Sequence, residues 1–155
     1  MNILVYTQCF APKLGGIESV MTKISTHAAL LGHNVKVLAD GSKYFSSKFD
    51  KNQRFEIYRF DQLKFLRKKI KSNFAVNLIR ENKFDLVFFD SWKSLESFDE
   101  KIKLKKICLV HGNEILEPKK NERILTSIKK ADMVIFNSSF TCLLYTSPSP
   151  RDFEA

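Results

Sequence analysis

Two adjacent glycines near the N-terminus are the residues in this sequence that point most directly to chemistry. Gly15 and Gly16 follow the short apolar run of residues 3–6 and precede residues with helical spacing. A glycine pair lets backbone N–H groups approach a ligand, and the N–H groups and dipole of a helix N-terminus favour an anion such as a phosphate. The same pair could serve only as a tight turn that needs positive φ. The pattern therefore indicates either a phosphate-binding loop or a plain turn.

Polar residues also follow two predicted strands further along the chain. The sequence HGNE, residues 111–114, comes directly after the apolar run 107–110, and Asn-Ser, residues 137–138, comes after the run 133–136. A histidine can donate or accept a proton in catalysis, although a lone histidine at a strand end is more often structural. Asn and Ser can simply turn the chain. Ligands of an open parallel sheet bind outside the carboxyl ends of the strands, so we expect these residues to converge with the glycine pair.

The elements that would position these residues alternate between strands and helices. Short apolar runs predict six strands, at residues 3–6, 35–39, 55–60, 86–89, 107–110 and 133–136. Helical spacing predicts helices at residues 17–31, from a cap at Asp61 to about residue 82, from 91 to about 99, and at 119–130, with a loop from Gly41 past Phe45. This alternation is typical of an α/β fold with a doubly wound parallel sheet, a Rossmann-like arrangement.

The predicted helix that starts near Asp61 combines an apolar stripe with many basic residues. The stripe is expected to pack on the core, with the basic residues on the opposite side; its members are Leu63, Leu66, Ile70, Phe74 and Leu78. The whole chain has a formal net charge of +9. Such a charge can attract nucleic acid, an anionic membrane or an anionic substrate, or it can reflect only solvated helix faces. We expect no nucleic-acid partner, because the basic residues belong to no recognisable binding module.

Several common functional motifs do not occur in the sequence. It lacks the G-x-G-x-x-G dinucleotide fingerprint, the P-loop and the G-x-S-x-G elbow of hydrolases. The 3 cysteines are far apart, which argues against a zinc site or a disulfide framework. No apolar run approaches the roughly 20 residues of a membrane span, and the N-terminus does not resemble a signal peptide. We therefore expect a cytoplasmic protein.

Four ordered motifs carry a resemblance to a known family. They are F-x-P-x-x-G-G-x-E at residues 10–18, L-G-H at 31–33 before a V-x-V strand, H-G-x-E at 111–114, and A-D-x-V-I-x-N-S-x-F-T at 131–141. In this order, residues 1–141 resemble the N-terminal half of a retaining GT-B glycosyltransferase, and the sequence is similar to glycosyltransferase family four. The ordered set is more specific than any one motif.

The resemblance implies a domain organisation and a reaction. It implies two Rossmann-like domains across a cleft, with residues 1–141 as the N-terminal, acceptor-side domain. The C-terminal domain, which binds the nucleotide sugar and carries the family's E-x7-E motif and basic diphosphate clamp, would be absent, so the chain alone is expected to be inactive. The reaction would be of the hexosyltransferase type, with retention, from a nucleotide sugar to a glycan or glycolipid acceptor such as that of a cell-envelope polysaccharide. No metal and no other cofactor is expected.

By position, the resemblance also implies roles for particular residues. Gly15 and Gly16 would bring backbone N–H groups to the donor diphosphate. His111 would be the catalytic residue, beside the transferred sugar and the attacking hydroxyl. The acceptor side would be lined by Glu18, Asn113 and Glu114.

Two further expectations concern partners and the end of the chain. Family members with lipid-linked acceptors often associate with membranes, so the resemblance implies contact with an anionic membrane, on its inner face, through Lys64, Arg67, Lys68 and Lys71. The alternative function is a non-catalytic Rossmann-like binding module that docks on such a surface or on a partner. Residues 142–155 are expected to be a non-native or disordered tail, because the composition changes abruptly and Pro148 and Pro150 exclude a helix there.

Overall fold

The computed structural model describes residues 1–111 and 121–146. These residues form one six-stranded sheet in the order β3-β2-β1-β4-β5-β6, and every neighbouring pair is parallel. The strands are β1 (Asn2–Thr7), β2 (Asn34–Asp40), β3 (Glu56–Phe60), β4 (Leu86–Phe89), β5 (Lys105–Val110) and β6 (Met133–Phe136). The helices are α1 (Gly16–Leu30), α2 (Lys43–Lys51), α3 (Lys64–Glu81), α4 (Trp92–Glu96), α5 (Asn121–Ile128) and α6 (Ser139–Thr146).

This architecture confirms the predicted α/β class and its doubly wound parallel sheet. Strand β1 lies in the middle because the chain winds outward from it twice, first to β2 and β3 and then to β4, β5 and β6. Its side chains alternate between the two faces of the sheet. Leu4 and Tyr6 pack with α3, α4 and α5 on one face, whereas Val5 packs with α1 and α2 on the other.

Residues 43–51 form helix α2, where the sequence predicted a loop. The helix begins after Ser42 and buries Ser46. Phe49 packs into the core beside α1, with its ring centroid 6.5 Å from that of Phe10. Isolated serines favour turns because their hydroxyls compete for backbone hydrogen bonds. Here the packing of one phenylalanine outweighs that local preference.

Helix α6 differs from the expectation for the chain end. It runs from Ser139 to Thr146, so it includes the first five of the residues that the sequence analysis assigned to a tail. Its first turn is capped by the Ser138 side chain, which accepts a hydrogen bond of 3.1 Å from the Thr141 N–H. The residues from 147 onward, including both prolines, lie outside the described part.

The orientation of helix α3 corrects the predicted apolar stripe. The helix begins at Lys64 after Leu63, without a side-chain cap from Asp61. Phe74 and Leu78 pack on the core as expected, but Leu63, Leu66 and Ile70 are exposed. The buried face at the start of the helix instead carries Lys71, with 2% of its surface exposed.

Lys71 and Arg67 face inward because both bind Asp40 at the end of β2. The Lys71 ammonium lies 2.6 Å from Asp40 Oδ1 and donates a 2.9 Å hydrogen bond to the Thr7 carbonyl. The Arg67 Nε lies 3.0 Å from Asp40 Oδ2. Neither cation is therefore available to a membrane in the way that the sequence analysis supposed, whereas Lys64 remains exposed.

Burial and charge act on Lys71 in opposite directions. Loss of solvent lowers the pKa of its ammonium, and the Asp40 carboxylate only partly offsets this, so the pKa lies below its usual value of 10.5.

Among the described residues, no helix combines the length and the apolar composition that crossing a membrane would require.

The first prediction concerns this buried pair. Asp40→Asn leaves the Lys71 ammonium buried without a carboxylate, so we expect the free energy of unfolding at pH 7 to fall by about 3 kcal/mol. The loss should shrink as the pH rises towards 10.5, because a lysine whose folded pKa is depressed costs less once it is neutral. Urea unfolding at pH 7 and pH 9.5 measures both effects.

A matched control is Glu56→Gln, which removes the partner of Lys36 at an ion pair of 3.2 Å. The Glu56 side chain is exposed, so its loss should change stability by less than about 1 kcal/mol. An Asp40→Asn variant that is as stable as Glu56→Gln would contradict the importance given to the buried pair.

Candidate functional site

The loop between β1 and α1 is held by one buried carboxylate. Asp90 follows β4, which neighbours β1, and its Oδ2 accepts hydrogen bonds from the Thr7 hydroxyl at 2.8 Å and the Gln8 N–H at 2.8 Å. The same oxygen accepts a longer bond of 3.2 Å from the Cys9 N–H. Only 1% of Asp90 is exposed. The first half of the loop is therefore fixed by charge-assisted hydrogen bonds.

A buried guanidinium holds the next part of the same loop. Arg59, in β3, donates a hydrogen bond to the Ala11 carbonyl and forms an ion pair of 2.7 Å with Asp50. Its guanidinium carbon lies 5.5 Å from the centroid of the Phe10 ring. The Ala11 N–H donates to the Thr22 hydroxyl on α1 at 3.2 Å. The backbone of the loop is therefore held by side-chain contacts as far as Ala11.

The two glycines have different surroundings. A Cβ atom on Gly15 would lie 2.1 Å from Glu18 Oε2, whereas a Cβ atom on Gly16 would meet nothing within 4 Å. Gly15 has φ 168°, an extended conformation open to any residue, and Gly16 is the first residue of α1. The turn with positive φ that the sequence allowed is therefore not formed by either glycine.

Glu18 places a carboxylate at the N-terminus of α1. It lies in the first turn of the helix, is 7% exposed, and has the Lys13 ammonium 3.6 Å from its Oε1. A negative charge is favourable at this end of a helix because of the free N–H groups and the helix dipole. The chain therefore supplies an anion of its own beside Gly15, and the open side of this terminus is at Gly16.

His111 is the first residue after β5. Its Nε2 lies 2.9 Å from the backbone carbonyl oxygen of Asp90. A carbonyl oxygen only accepts, so Nε2 is the protonated nitrogen in this hydrogen bond, and the neutral ring has its lone pair on Nδ1.

One pocket brings together three of the residues that the sequence placed at strand ends. Gly16, His111 and Asn137 line a pocket of about 550 Å³, which lies between α1 and the strands β5 and β6. The other described residues of its lining are apolar: Ile17, Val20, Ile24, Leu109, Ile135 and Phe136. The predicted convergence is confirmed for these three residues. Ser138, also predicted at this edge, is not among the residues named above and caps helix α6. Asn113 and Glu114 lie outside the described residues.

The site offers little nucleophilic or metal-binding chemistry in the part that the structure describes. Burial, reinforced by the nearby carboxylates of Asp90 and Glu18, raises the pKa of the Cys9 thiol to about 11, so this thiol is protonated at neutral pH. Among residues 1–111 and the described residues from 121 onward, no three His, Cys, Asp or Glu side chains are grouped as metal ligands. What the site does present is backbone N–H groups, an imidazole and an amide around an apolar pocket.

The parallel sheet, the glycine loop at the start of α1 and the histidine after β5 define the N-terminal, Rossmann-like half of a GT-B glycosyltransferase. The chain belongs to Glycosyltransferase Family 4, whose model matches residues 14–145. This match confirms the resemblance seen in the sequence. A comparison with curated proteins found no match.

Sequence reasoning missed the residues that hold the site together. Asp90 is visible in the sequence as an aspartate directly after a fully apolar strand, a position at which a polar residue lies at the carboxyl edge of the sheet. Arg59 gives no such signal, because it sits inside an alternating strand. Its partners Ala11 and Asp50 are recognisable only in the folded chain.

The second prediction tests why glycine is needed at position 15. Gly15→Ala should lower the free energy of unfolding by about 1 kcal/mol, because the new methyl group displaces the Glu18 carboxylate. In a Glu18→Ala background the same change should cost much less. Gly16→Ala, which meets open space, should leave stability unchanged or raise it by up to about 0.5 kcal/mol.

Thermal and urea unfolding of the three single variants and the double variant measure these differences. If Gly15→Ala costs the same with and without Glu18, the carboxylate is not the reason for the glycine.

Proposed function

We propose that this chain is the acceptor-side domain of a retaining glycosyltransferase, which moves a hexose from a nucleotide sugar to a glycan or glycolipid acceptor. The observation that carries the proposal is the single pocket lined by Gly16, His111 and Asn137 in a member of Glycosyltransferase Family 4. All three residues lie at the carboxyl edge of the sheet, where ligands of this fold class bind.

The donor diphosphate would approach the N-terminus of α1 from the side of Gly16. There the helix offers N–H groups and open space, whereas the Glu18 carboxylate occupies the side of Gly15. A diphosphate at Gly15 would require that carboxylate to turn away, because two anions would otherwise meet. The N–H groups would stabilise the negative charge that develops on the leaving diphosphate, and no metal is needed for that role.

His111 would act at the reacting centre, with its neutral ring accepting a hydrogen bond or a proton from a hydroxyl. Glu18, Asn113 and Glu114 would face the acceptor. Most of the donor contacts would come from a second domain or a partner subunit, so the chain alone would not turn over substrate. Such a division suits the described part of the pocket, in which Gly16, His111 and Asn137 surround an apolar floor.

The third prediction is a turnover experiment on a protein that contains this domain together with a donor-binding domain. We expect sugar transfer with retention of the anomeric configuration, which NMR of the product measures. His111→Ala should lower kcat/KM by about 10²-fold to 10⁴-fold, the usual contribution of an acid–base group. The present chain alone should give no product.

His33→Ala is the matched control, since His33 lies beside Met1 at the opposite edge of the sheet. It should leave kcat/KM unchanged. Failure of the complete protein to turn over any nucleotide sugar would overturn the proposal and favour the non-catalytic binding module. An inverted product would overturn the retaining mechanism.

A second function, docking on an anionic membrane, is favoured by a separate observation. Apolar side chains stand exposed where α2 and α3 begin: Phe45 is 82% exposed and Phe65 is 71% exposed. Both helices start at the same edge of the sheet, because they follow the neighbouring strands β2 and β3, which are joined there by a hydrogen bond from the Gly41 N–H to the Phe60 carbonyl. We call this the edge patch: Lys43, Tyr44, Phe45, Leu63, Lys64 and Phe65.

The edge patch replaces the basic surface inferred from the sequence. Arg67 and Lys71 are bound to Asp40, so the cations left for lipid headgroups are those of the patch and Lys68. Aromatic rings beside lysines are the combination that inserts at a membrane interface while the ammonium groups meet anionic headgroups.

The fourth prediction is sedimentation of the chain with vesicles at low salt. We expect binding to vesicles that contain an anionic lipid and several-fold weaker binding to neutral vesicles. Phe45→Ser with Phe65→Ser should reduce the binding to anionic vesicles. Leu31→Ser, which removes an equally exposed apolar side chain after α1, should not. Equal binding to neutral and anionic vesicles would rule out this function.

A further inference from the structure

Asp90 contacts both halves of the candidate site with separate parts of one residue. Its carboxylate accepts hydrogen bonds from Thr7, Gln8 and Cys9 in the loop that leads to the glycine pair. Its backbone carbonyl accepts the hydrogen bond from His111. We propose that Asp90 is the positioning residue of this site, which fixes the loop relative to His111 and holds His111 in its Nε2–H tautomer.

The carboxylate acts through the backbone N–H groups of two consecutive loop residues and through the Thr7 hydroxyl. The Gln8 N–H donates to Asp90 Oδ2 at 2.8 Å, and the Cys9 N–H is shared between the same oxygen at 3.2 Å and the Thr7 hydroxyl oxygen at 3.0 Å. The Ser91 hydroxyl donates to the other carboxylate oxygen at 3.3 Å. A buried anion with this set of donors has one preferred orientation, because any other leaves charge or N–H groups unsatisfied.

The carbonyl acts on the chemistry of the histidine. With Nε2–H donated to Asp90, the neutral His111 ring is an acceptor at Nδ1. A hydroxyl proton accepted there gives an imidazolium whose Nε2–H still points to the Asp90 carbonyl, which stabilises the positive charge. Rotation of the residue 90 backbone would move this carbonyl, so the side-chain bonds of Asp90 and the tautomer of His111 are coupled.

Asp85 joins the same two strands as Asp90 and serves as the control for a purely structural role. Asp85, just before β4, accepts a hydrogen bond of 2.7 Å from the Asn2 N–H at the start of β1. The two aspartates thus join β1 and β4 at opposite ends, and only Asp90 touches the site. Asp85→Asn therefore removes a similar bond without any expected effect on His111.

The test is NMR spectroscopy of the substrate-free chain and of its Asp90→Asn and Asp85→Asn variants. Long-range ¹H–¹⁵N spectra report the tautomer of each histidine, and His111→Gln assigns the His111 signals among the 3 histidines. Hydrogen exchange reports the Gln8 and Cys9 amides. In the unmodified chain we expect the Nε2–H tautomer of His111 and slow exchange of both amides.

Asp90→Asn should shift His111 to a mixture of tautomers and speed exchange of the Gln8 and Cys9 amides at least 10-fold. Asp85→Asn should do neither. The proposal is overturned if Asp90→Asn leaves both readouts as they are, or if Asp85→Asn changes them as much. If Asp90→Asn does not fold, Thr7→Val decides, since it removes one donor to Asp90 and keeps the carboxylate. Because the Cys9 N–H also donates to the Thr7 hydroxyl oxygen, the readout is the Gln8 amide, which should exchange faster while the tautomers partly mix. No change in either would overturn the proposal.

The catalytic meaning of this role rests on the proposed function, but its test does not. Both readouts are taken without substrate. If Asp90→Asn changes the His111 tautomer but a complete protein turns over no nucleotide sugar, the proposed transferase function fails and the positioning role of Asp90 stands. Turnover together with an unchanged tautomer in Asp90→Asn would do the reverse.

Discussion

The buried ammonium of Lys71 is the charge on which the carboxyl edge of the sheet depends. It joins helix α3 to the ends of two strands, through the Thr7 carbonyl of β1 and the Asp40 carboxylate of β2, and it lies 4.5 Å from the centroid of the Tyr6 ring. The lowered pKa of Lys71 means that the loss of hydration destabilises its ammonium more than the Asp40 carboxylate stabilises it. An apolar side chain would cost less to bury, but it would remove the donor to the Thr7 carbonyl and leave Asp40 with Arg67 and without Lys71. The pair therefore specifies where α3 sits more than it adds to stability.

Several buried polar groups lie at this edge. Thr7, Lys71, Asp90 and Ser91 are all buried there. At the amino edge the corresponding contact, from Asn2 to Asp85, is exposed to solvent. Burying polar groups is costly unless every one is bonded, so a fold that needed only stability would leave them in water. Their presence at the edge where the pocket opens is what a preorganised site requires.

The sequence predicted the sheet well because short apolar strands between helices leave few alternatives. It failed at α3 for a physical reason. Leu63, Leu66 and Ile70 have helical spacing but are exposed, and the buried side chains of this helix include Lys71 and Ala75. A lysine is buried only when a partner compensates it, and Asp40 lies 31 residues away in the chain. No local pattern carries that information.

The candidate site, too, has features that the sequence predicts and features that depend on distant partners. That Gly16, His111 and Asn137 share a pocket follows from topology, because parallel strands bring their carboxyl ends together. What holds them cannot be derived that way, since Asp90 and Arg59 act on the loop through partners more than 40 residues away. The glycine pair, identified as one motif, separates into a residue that makes room for Glu18 and a residue that faces open space.

The family match and the geometry support the site through different residues. The match covers residues 14–145, so it includes the glycine pair, the first helix and His111. The loop residues that donate hydrogen bonds to Asp90 or accept one from Arg59 lie between Thr7 and Ala11 and precede that range. The order of this loop is therefore a conclusion from its contacts alone and owes nothing to the match. These contacts hold the loop as far as Ala11, whose own N–H donates to Thr22 of α1. The Glu18 carboxylate at the N-terminus of α1 means that any incoming anion meets a helix terminus whose charge is partly satisfied.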